Sequence, residues 1–123
     1  MDEGAYQIGV SWNDNILQMV ITGEASSEIA NKIAQEVIAI LVENRPKRVL
    51  IDCRNLKGRL GIIDTYFLIK NYPGKHAVPK LAILDIAEKE SYYAFQKVIA
   101  ANVSLNSLRY FSDSDEAMSW LRE

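Results

Sequence analysis

Two stretches near the start of the chain mix hydrophobic and polar residues in a pattern typical of β-strands. They are YQIGVSW (6–12) and ILQMVIT (16–22), and the residues Asn13, Asp14 and Asn15 lie between them. Asn and Asp tolerate the positive φ angles that tight turns require. This pattern predicts a β-hairpin.

The next hydrophobic residues recur at steps of four and three, which is the spacing of one face of an α-helix. They are Ile29, Ile33, Val37, Ile40 and Leu41. Ser26 is placed to cap the helix, and Glu28 lies in the first turn, where the helix dipole favours an anion. Pro46 ends the segment because the residue before a proline resists helical geometry.

Three further strands are predicted from short apolar runs. RVLID (48–52) and KLAILDI (80–86) have the composition of strands that are buried on both faces. SLRYF (107–111) predicts a last, short strand.

Helices are predicted between and after these strands. One runs from about Ile62 to Asn71 and ends at Pro73 and Gly74, and a second covers KESYYAFQKVIAANV (89–103). Asp113, with Glu116 three residues later, forms a capping box that leads into a final helix.

The resulting order is β-β-α-β-α-β-α-β-α. Alternating strands and helices predict an α/β fold with a mostly parallel five-stranded sheet, an antiparallel N-terminal hairpin strand and about four helices. The strands are expected roughly in sequential order. Residues 1–123 are expected to form a single domain.

Composition narrows the class of protein. The chain has 49% hydrophobic and 24% charged residues, as in globular proteins, and its net charge of −2 gives no electrostatic case for nucleic-acid binding. VIAILV (37–42), the most apolar run, is too short to span a membrane, and MDEGAYQIG lacks the features of a signal peptide. A lone cysteine cannot form an internal disulfide, so we expect a cytoplasmic protein.

The stretch IDCRNLKGRLG (51–61) is the first candidate site. Ligands of parallel-sheet folds bind outside the carboxyl ends of the strands, and Arg54, Lys57 and Arg59 follow one such end. With the free backbone N–H groups expected near Ile62, they form a candidate anion site. The stretch matches no phosphate-loop motif, and a solvated turn in which Gly58 and Gly61 supply backbone freedom is the alternative.

Catalytic chemistry has weak candidates. Asp52 and Asp85 both end predicted strands, so they are either an acid–base pair or caps of the next turns. Cys53 and the single histidine, His76, are too few for the usual zinc ligand sets. A strand-end cysteine is more often a small buried hydrophobe than a nucleophile. We therefore expect no catalytic residue, no metal and no cofactor.

The helix predicted from Ile62 has a wide apolar surface that includes Tyr66 and Phe67. Because this surface exceeds the stripe that one core contact needs, a neighbouring helix, a partner subunit or an apolar ligand must cover the remainder. A homodimer through this helix is the sharper hypothesis. Tyr92 and Tyr93 lie on adjacent faces of the following predicted helix, so at least one of them is expected to be partly exposed, and Tyr93 is the candidate that lines a groove.

Three segments together resemble a known family: VLIDCRNLKG, KLAILDI and above all LRYFSDSDEAMSWL. They resemble the SpoIIAA-like family, small bacterial and archaeal proteins of the STAS-domain fold, which is akin to CRAL-TRIO lipid-transfer domains. The resemblance covers nearly the whole chain and implies a SpoIIAA-like βα superhelix. Its clearest part, the ending, is a packing signature without chemistry.

The resemblance also shows a departure. Anti-sigma-factor antagonists of the STAS type carry a strand-end aspartate and, at the start of the next helix, a phosphorylatable serine followed by glycine. Asp52 and Gly61 fit two of these positions, but no serine or threonine lies between Asp52 and Asp64. Arg59 and Leu60 occupy the serine neighbourhood, so a phosphorylation-controlled antagonist is not expected.

The sequence therefore predicts a non-enzymatic interaction module whose partner is a second copy of the chain or another protein. The candidate contact groove lies between the Asp52 loop, the helix at 62–71 and the segment 85–93. The alternative is a small carrier or sensor that binds an apolar, lipid-like or anionic ligand in that groove. An unrecognised hydrolase or transferase is the third hypothesis, for which the sequence offers no nucleophile motif.

Overall fold

A computed structural model of the chain describes residues 5–59, 80–91 and 108–123. The strands are β1 (Tyr6–Asn13), β2 (Ile16–Glu24), β3 (Arg48–Asp52), β4 (Leu56–Lys57), β5 (Lys80–Leu84) and β6 (Leu108–Phe111). The α-helices of these ranges are α1 (Ser27–Asn44) and α2 (Ser114–Arg122), and a 3₁₀ turn covers Ala87–Lys89.

The described strands form one mixed sheet in the order β1-β2-β3-β5-β6. β1 and β2 are antiparallel and the other pairs are parallel. This confirms the α/β class, the antiparallel hairpin and the sequential strand order. The sheet has six strands where five were predicted, because the short β4 pairs with the end of β2. The predicted helix at 62–71 lies outside the described residues, as does all but the start of the one at 89–103.

The β1–β2 hairpin closes through a two-residue turn, as the Asn-rich linker predicts. Asn13 pairs with Ile16, and the two residues between them, Asp14 and Asn15, have φ angles of 51° and 64°. Positive φ at both central positions defines the turn type whose twist matches that of the flanking strands.

Helix α1 begins and ends as its sequence predicts. The Ser26 hydroxyl accepts a hydrogen bond from the backbone N–H of Ile29 at 3.3 Å. At the other end Arg45 adopts a left-handed conformation, and its N–H donates to the Leu41 carbonyl at 2.9 Å before Pro46. The periodic residues Ile29, Ile33, Val37 and Leu41 are buried, which confirms the predicted apolar face.

The two helices cover opposite faces of the sheet and create two hydrophobic cores. The α1 core contains Leu17, Met19, Ile21, Ile29, Ile33, Val37, Leu41, Val49, Ile51, Cys53 and Leu56. The α2 core contains Ile16, Leu50, Ala82, Leu84, Phe111, Ala117, Met118 and Leu121. Neighbouring residues of β3 alternate between the two cores, as expected for a strand that is buried on both faces.

Helix α2 is held at both of its ends. The Asp113 carboxylate caps it by accepting hydrogen bonds from the backbone N–H groups of Asp115 at 2.8 Å and Glu116 at 3.2 Å. Near its carboxyl end, the Trp120 ring lies 5.5 Å from the Phe111 ring and 4.5 Å from the Lys80 ammonium, centroid distances typical of aromatic and cation–π contacts.

Candidate interaction site at the carboxyl ends of the strands

The parallel strands β3, β5 and β6 end at the same edge of the sheet. The Cys53 N–H donates to the Leu84 carbonyl at 2.9 Å, and the Asp85 N–H donates to the Phe111 carbonyl at 3.0 Å. These bonds continue the ladder one residue past the ends of β3 and β5. The loop after β3 and the segment after β5 are therefore both anchored at this edge, where ligands of parallel-sheet folds bind.

Asp52, the last residue of β3, forms a compact ion pair with Arg54. One carboxylate oxygen accepts from the Arg54 backbone N–H and Nε, both at 3.0 Å, and the other accepts from Nη2 at 2.9 Å. Burial raises the pKa of the Asp52 carboxyl, but the hydrogen bonds and charge of Arg54 outweigh it and leave the pKa below its ordinary value. The Arg54 side chain is itself 45% exposed.

Asp85, one residue beyond β5, forms a second and buried ion pair with Arg59. The Arg59 Nε and Nη2 atoms each donate at 2.7 Å, to Oδ2 and Oδ1 respectively. The Asp85 side chain is fully buried and that of Arg59 is 8% exposed. Oδ1 also accepts the Ile86 backbone N–H at 2.8 Å. A buried carboxylate needs several such donors to offset the loss of water.

Arg59 also closes its own loop. Its Nη1 atom donates to the carbonyl oxygens of Leu56 and Gly58, so the guanidinium binds both the 56–58 backbone and Asp85. We call residues 53–59 the strap. Its middle part, β4, is tied to the end of β2, because Gly23 pairs with Leu56 and the Ala25 N–H donates to the Lys57 carbonyl at 2.8 Å.

Gly58 makes the close approach of the strap to β2 possible. Its φ angle is +77°, and a Cβ atom there would lie 2.5 Å from the Ala25 carbonyl oxygen. Both the backbone conformation and the available space therefore require glycine. The prediction that Gly58 supplies backbone freedom in this turn is confirmed, whereas Gly61 lies outside the described residues.

The two strand-end aspartates are not arranged as an acid–base pair. Each carboxylate is bound by its own guanidinium, Asp52 by Arg54 and Asp85 by Arg59. General acid–base chemistry needs a carboxyl group within reach of a reacting proton, and the Asp85 carboxylate is buried beneath Arg59. The geometry favours the alternative interpretation, in which these aspartates cap the turns that follow them.

The same ion pairs change the anion-site hypothesis for the loop. Two of its three cations, Arg54 and Arg59, bind carboxylates of the protein, and Arg59 is almost fully buried. Lys57 is exposed on the strap. It borders an open cavity of about 680 Å³ between the strap, the end of β2 and the start of α1, which is lined by Ala5, Gly23, Glu24, Ala25, Ser26, Ile29, Asn55, Lys57 and Gly58.

Tyr110 extends the site onto β6. Its hydroxyl donates to the Ile86 carbonyl at 2.9 Å, which fixes the residue after Asp85 to the neighbouring strand. Burial raises the pKa of the Tyr110 hydroxyl most, and the negative charges of Asp85 and Glu90 raise it further. This tyrosine therefore stays protonated, and remains a hydrogen-bond donor, to a higher pH than an ordinary tyrosine does.

The remaining candidates have mixed outcomes. Cys53 is buried in the α1 core, which confirms its reading as a packing residue. The residues Ile62, Tyr66, Phe67, Tyr93 and His76 lie outside the described residues, so the predicted groove and the dimer through the 62–71 helix stay predictions.

Within the described ranges, His, Cys, Asp and Glu form no cluster of three or more suited to a metal ion. None of the helices described there has the length and apolarity to cross a membrane.

Two features of the site are absent from the sequence reading. The pairing of Arg59 with Asp85 joins residues 26 positions apart, and the cavity uses the end of β2 and the start of α1, two segments that the predicted groove does not include. A partial signal exists for the ion pair. A carboxylate that directly follows a buried strand needs a counter-charge, and the basic loop is the nearest source in a parallel sheet.

Comparison with solved structures places this geometry in a known fold. An anti-sigma factor antagonist from Mycobacterium paratuberculosis superimposes with a TM-score of 0.68 at 15% sequence identity, over 98% of this chain and 97% of that one. An uncharacterised DUF3478-family protein with a SpoIIAA-like fold from Shewanella loihica PV-4 gives a TM-score of 0.58 at 19% identity, over 95% and 94% of the two chains.

These similarities establish the fold. The chain adopts the SpoIIAA-like (STAS) architecture that the resemblance of its sequence implies. No protein-family model matches the chain, and no curated protein matches it either. At such low identity, likeness of fold does not by itself transfer a function, which must be argued from the site.

Proposed function

We propose that this protein is a non-enzymatic, STAS-like regulatory module that works by binding another protein and is itself dimeric. The proposed docking surface is the strap together with the adjoining end of β5, where Arg54 and Lys57 are exposed. The proposed compartment is the cytoplasm of a bacterial or archaeal cell, in keeping with the lone cysteine.

The observation that supports this proposal is that a STAS-like fold carries a strap whose position is fixed by ion pairs and strand pairing. The likeness to an anti-sigma factor antagonist extends over both chains almost completely. The strap is held by two bidentate ion pairs and by β4, so its exposed cations are presented on a rigid support. A pre-organised surface loses less entropy on binding than a mobile loop does.

We further propose that docking is not controlled by phosphorylation of the strap. Residues 53–63 contain no serine or threonine, and Arg59 points inward to Asp85. A permanent internal cation in this region replaces a hydroxyl that could gain and lose negative charge. Binding would then be set by the concentration of the partner.

The proposal is tested by affinity capture from the native host, with proteins identified by mass spectrometry. The bait is the full chain, compared with Lys57→Glu and Lys47→Glu. Lys57 lies on the strap, whereas Lys47 is also exposed but directly precedes β3, at the end of that strand remote from the strap. Both variants change the net charge by the same amount.

A partner retained by the wild type and Lys47→Glu but lost with Lys57→Glu supports the proposal. The natural candidate is a protein that acts as an anti-sigma factor, because the structurally similar protein is an anti-sigma factor antagonist. Equal capture by all three baits would contradict the strap as the docking surface. Turnover of an ester or phosphate substrate that is abolished in Asp52→Asn would contradict the non-enzymatic role.

The cavity beside the strap supports a second candidate function, a carrier or sensor of a small ligand. Its volume of about 680 Å³ falls in the range of small-molecule sites. Ala25 and Ile29 supply apolar lining, and Lys57 and Glu24 supply one charge of each sign, which suits a small molecule with both apolar and charged parts. Native mass spectrometry of protein purified from its host decides, since a co-purified small mass favours this function and its absence favours protein binding.

A further inference from the structure

β1 is an edge strand of the described sheet, and it lacks the features that normally protect an edge. It is eight residues long and pairs with β2 along its whole length without a bulge. Its sequence, YQIGVSWN, contains no charged residue and no proline. Edge strands usually avoid association by being short, charged, bulged or interrupted by proline.

The opposite edge of the described sheet shows such protection. β6 has only four residues and carries Arg109, whose guanidinium lies 5.3 Å from the Phe111 ring centroid. By contrast, β1 exposes two large apolar side chains, Val10 at 46% and Trp12 at 53%. The two edges of one sheet therefore differ in length, charge and exposed apolar surface.

The turn geometry shows which backbone groups of β1 face outward. In a hairpin closed by a two-residue turn, the pair flanking the turn exchanges both of its hydrogen bonds, and bonded pairs then alternate along the ladder. Asn13 and Ile16 are that pair, so the odd-numbered residues of β1 bond to β2. The outward N–H and C=O groups belong to the even-numbered residues Tyr6, Ile8, Val10 and Trp12.

We infer that a second copy of this chain pairs with β1, antiparallel and about a two-fold axis. In such a pair, outward-facing residues bond only to outward-facing residues, so even-numbered positions of one copy lie opposite even-numbered positions of the other. Those positions are all aromatic or β-branched, the types that pair best across strands. On the face of the strand that carries these side chains, every allowed register therefore places an apolar or aromatic side chain opposite another.

The absence of charge on β1 permits a second copy as the occupant. The strand itself is uncharged, and the chain carries a net charge of only −2, so two identical strands approach without like charges opposite one another. The contact is isologous, which closes the assembly at two copies. It joins the two sheets into one continuous sheet and leaves the strap of each copy accessible at the carboxyl edge.

This inference rests on the dimeric part of the proposed function and names its surface. The test is sedimentation velocity of the full chain at micromolar concentrations, compared with Val10→Lys and Val10→Pro. The lysine places like charges opposite one another in the pair. The proline removes an outward N–H while leaving the bonds between β1 and β2 intact, a position where edge strands tolerate proline.

Val20→Lys is the matched control. Val20 is the same residue type, is 40% exposed and lies on β2, which is paired on both sides and so has no free edge. Circular dichroism melting curves establish that each variant is folded. We expect a dimer for the wild type and for Val20→Lys, with the dimer dissociation constant raised about a hundredfold or more in both Val10 variants.

Three results would overturn the inference: a monomeric wild type, a dimer unchanged in both folded Val10 variants, or equal weakening by Val20→Lys. A dimer that persists in the Val10 variants would direct attention to the predicted 62–71 helix. Partner capture through Lys57 is measured separately. The β1 interface can therefore fail while the proposed function stands, and a monomeric Val10→Lys that still captures the partner separates the two surfaces.

Discussion

Arg59 and Asp85 are joined by two parallel hydrogen bonds of 2.7 Å that connect the strap to the segment after β5. The Asp85 side chain is fully buried and the Arg59 side chain nearly so. This pair is the main electrostatic link across the carboxyl edge of the described sheet. Together with the pairing of β4 and β2, it holds the strap, which carries Lys57 and Arg54.

Removing one member of this pair should destabilise the protein strongly. Asp85→Ala leaves the Arg59 guanidinium buried without its carboxylate, and breaking a buried pair in this way costs about 3–5 kcal/mol. The free energy of unfolding from urea titration measures the loss. Arg54→Ala is the control, because its partly exposed pair with Asp52 should contribute about 1 kcal/mol or less.

The double variant Asp85→Leu with Arg59→Leu tests the origin of that loss. Because both charges are removed together, the double variant should be destabilised by much less than the sum of the losses for Asp85→Leu and Arg59→Leu made singly. Additive effects of the single changes would contradict a direct coupling of Arg59 with Asp85.

The Asp52–Arg54 pair predicts a pH dependence of stability. The pKa of Asp52 is lower in the folded protein than its ordinary value, so the folded state binds fewer protons there than the unfolded state. The stabilisation is complete above the ordinary aspartate pKa of about 3.9 and is lost as the pH falls through the lower pKa of the folded state. Urea titrations at neutral and acidic pH should show the wild type and Asp52→Asn converging as the pH falls.

Arg54→Ala is the control for the cause of this effect. Without the guanidinium, only the backbone N–H of residue 54 still favours the charged carboxylate, so most of the pH dependence should disappear. If Arg54→Ala kept the full pH dependence of the wild type, the pairing would not be its source.

The sequence predicts the elements of this fold well because local signals define them. The Asn13–Asn15 turn, the Ser26 cap and the Asp113 cap each act within four residues, and the strands follow from their apolar composition. β4 and the Arg59–Asp85 pair escape prediction because both depend on chain segments that meet only after folding. Two residues of β4 carry no periodicity that a sequence pattern can reveal.

The two helix caps differ in strength, and their removal should show it. The Asp113 carboxylate accepts two backbone N–H groups, at 2.8 and 3.2 Å, whereas the Ser26 hydroxyl accepts one at 3.3 Å. Asp113→Ala should therefore cost about 1–2 kcal/mol and Ser26→Ala about 0.5–1 kcal/mol in unfolding free energy. Ser114→Ala, one position inside α2, is the control and should be near neutral. A larger loss for Ser26→Ala than for Asp113→Ala would contradict this order.

Comparing Gly58→Ala with Gly9→Ala distinguishes the specific role of Gly58 in the strap from the general effect of replacing a glycine. Gly58→Ala forces a Cβ atom to within 2.5 Å of the Ala25 carbonyl oxygen at a φ of +77°. A Cβ at Gly9, by contrast, would lie 4.0 Å from the Val20 carbonyl oxygen, an ordinary van der Waals distance. Gly58→Ala should cost about 1–3 kcal/mol and displace β4 from β2, which protein–partner titration would register as weaker binding through Lys57. Gly9→Ala should change stability by less than about 0.5 kcal/mol. Equal binding of the partner by the two variants would contradict the prediction, because it would show that recognition does not depend on the strap conformation.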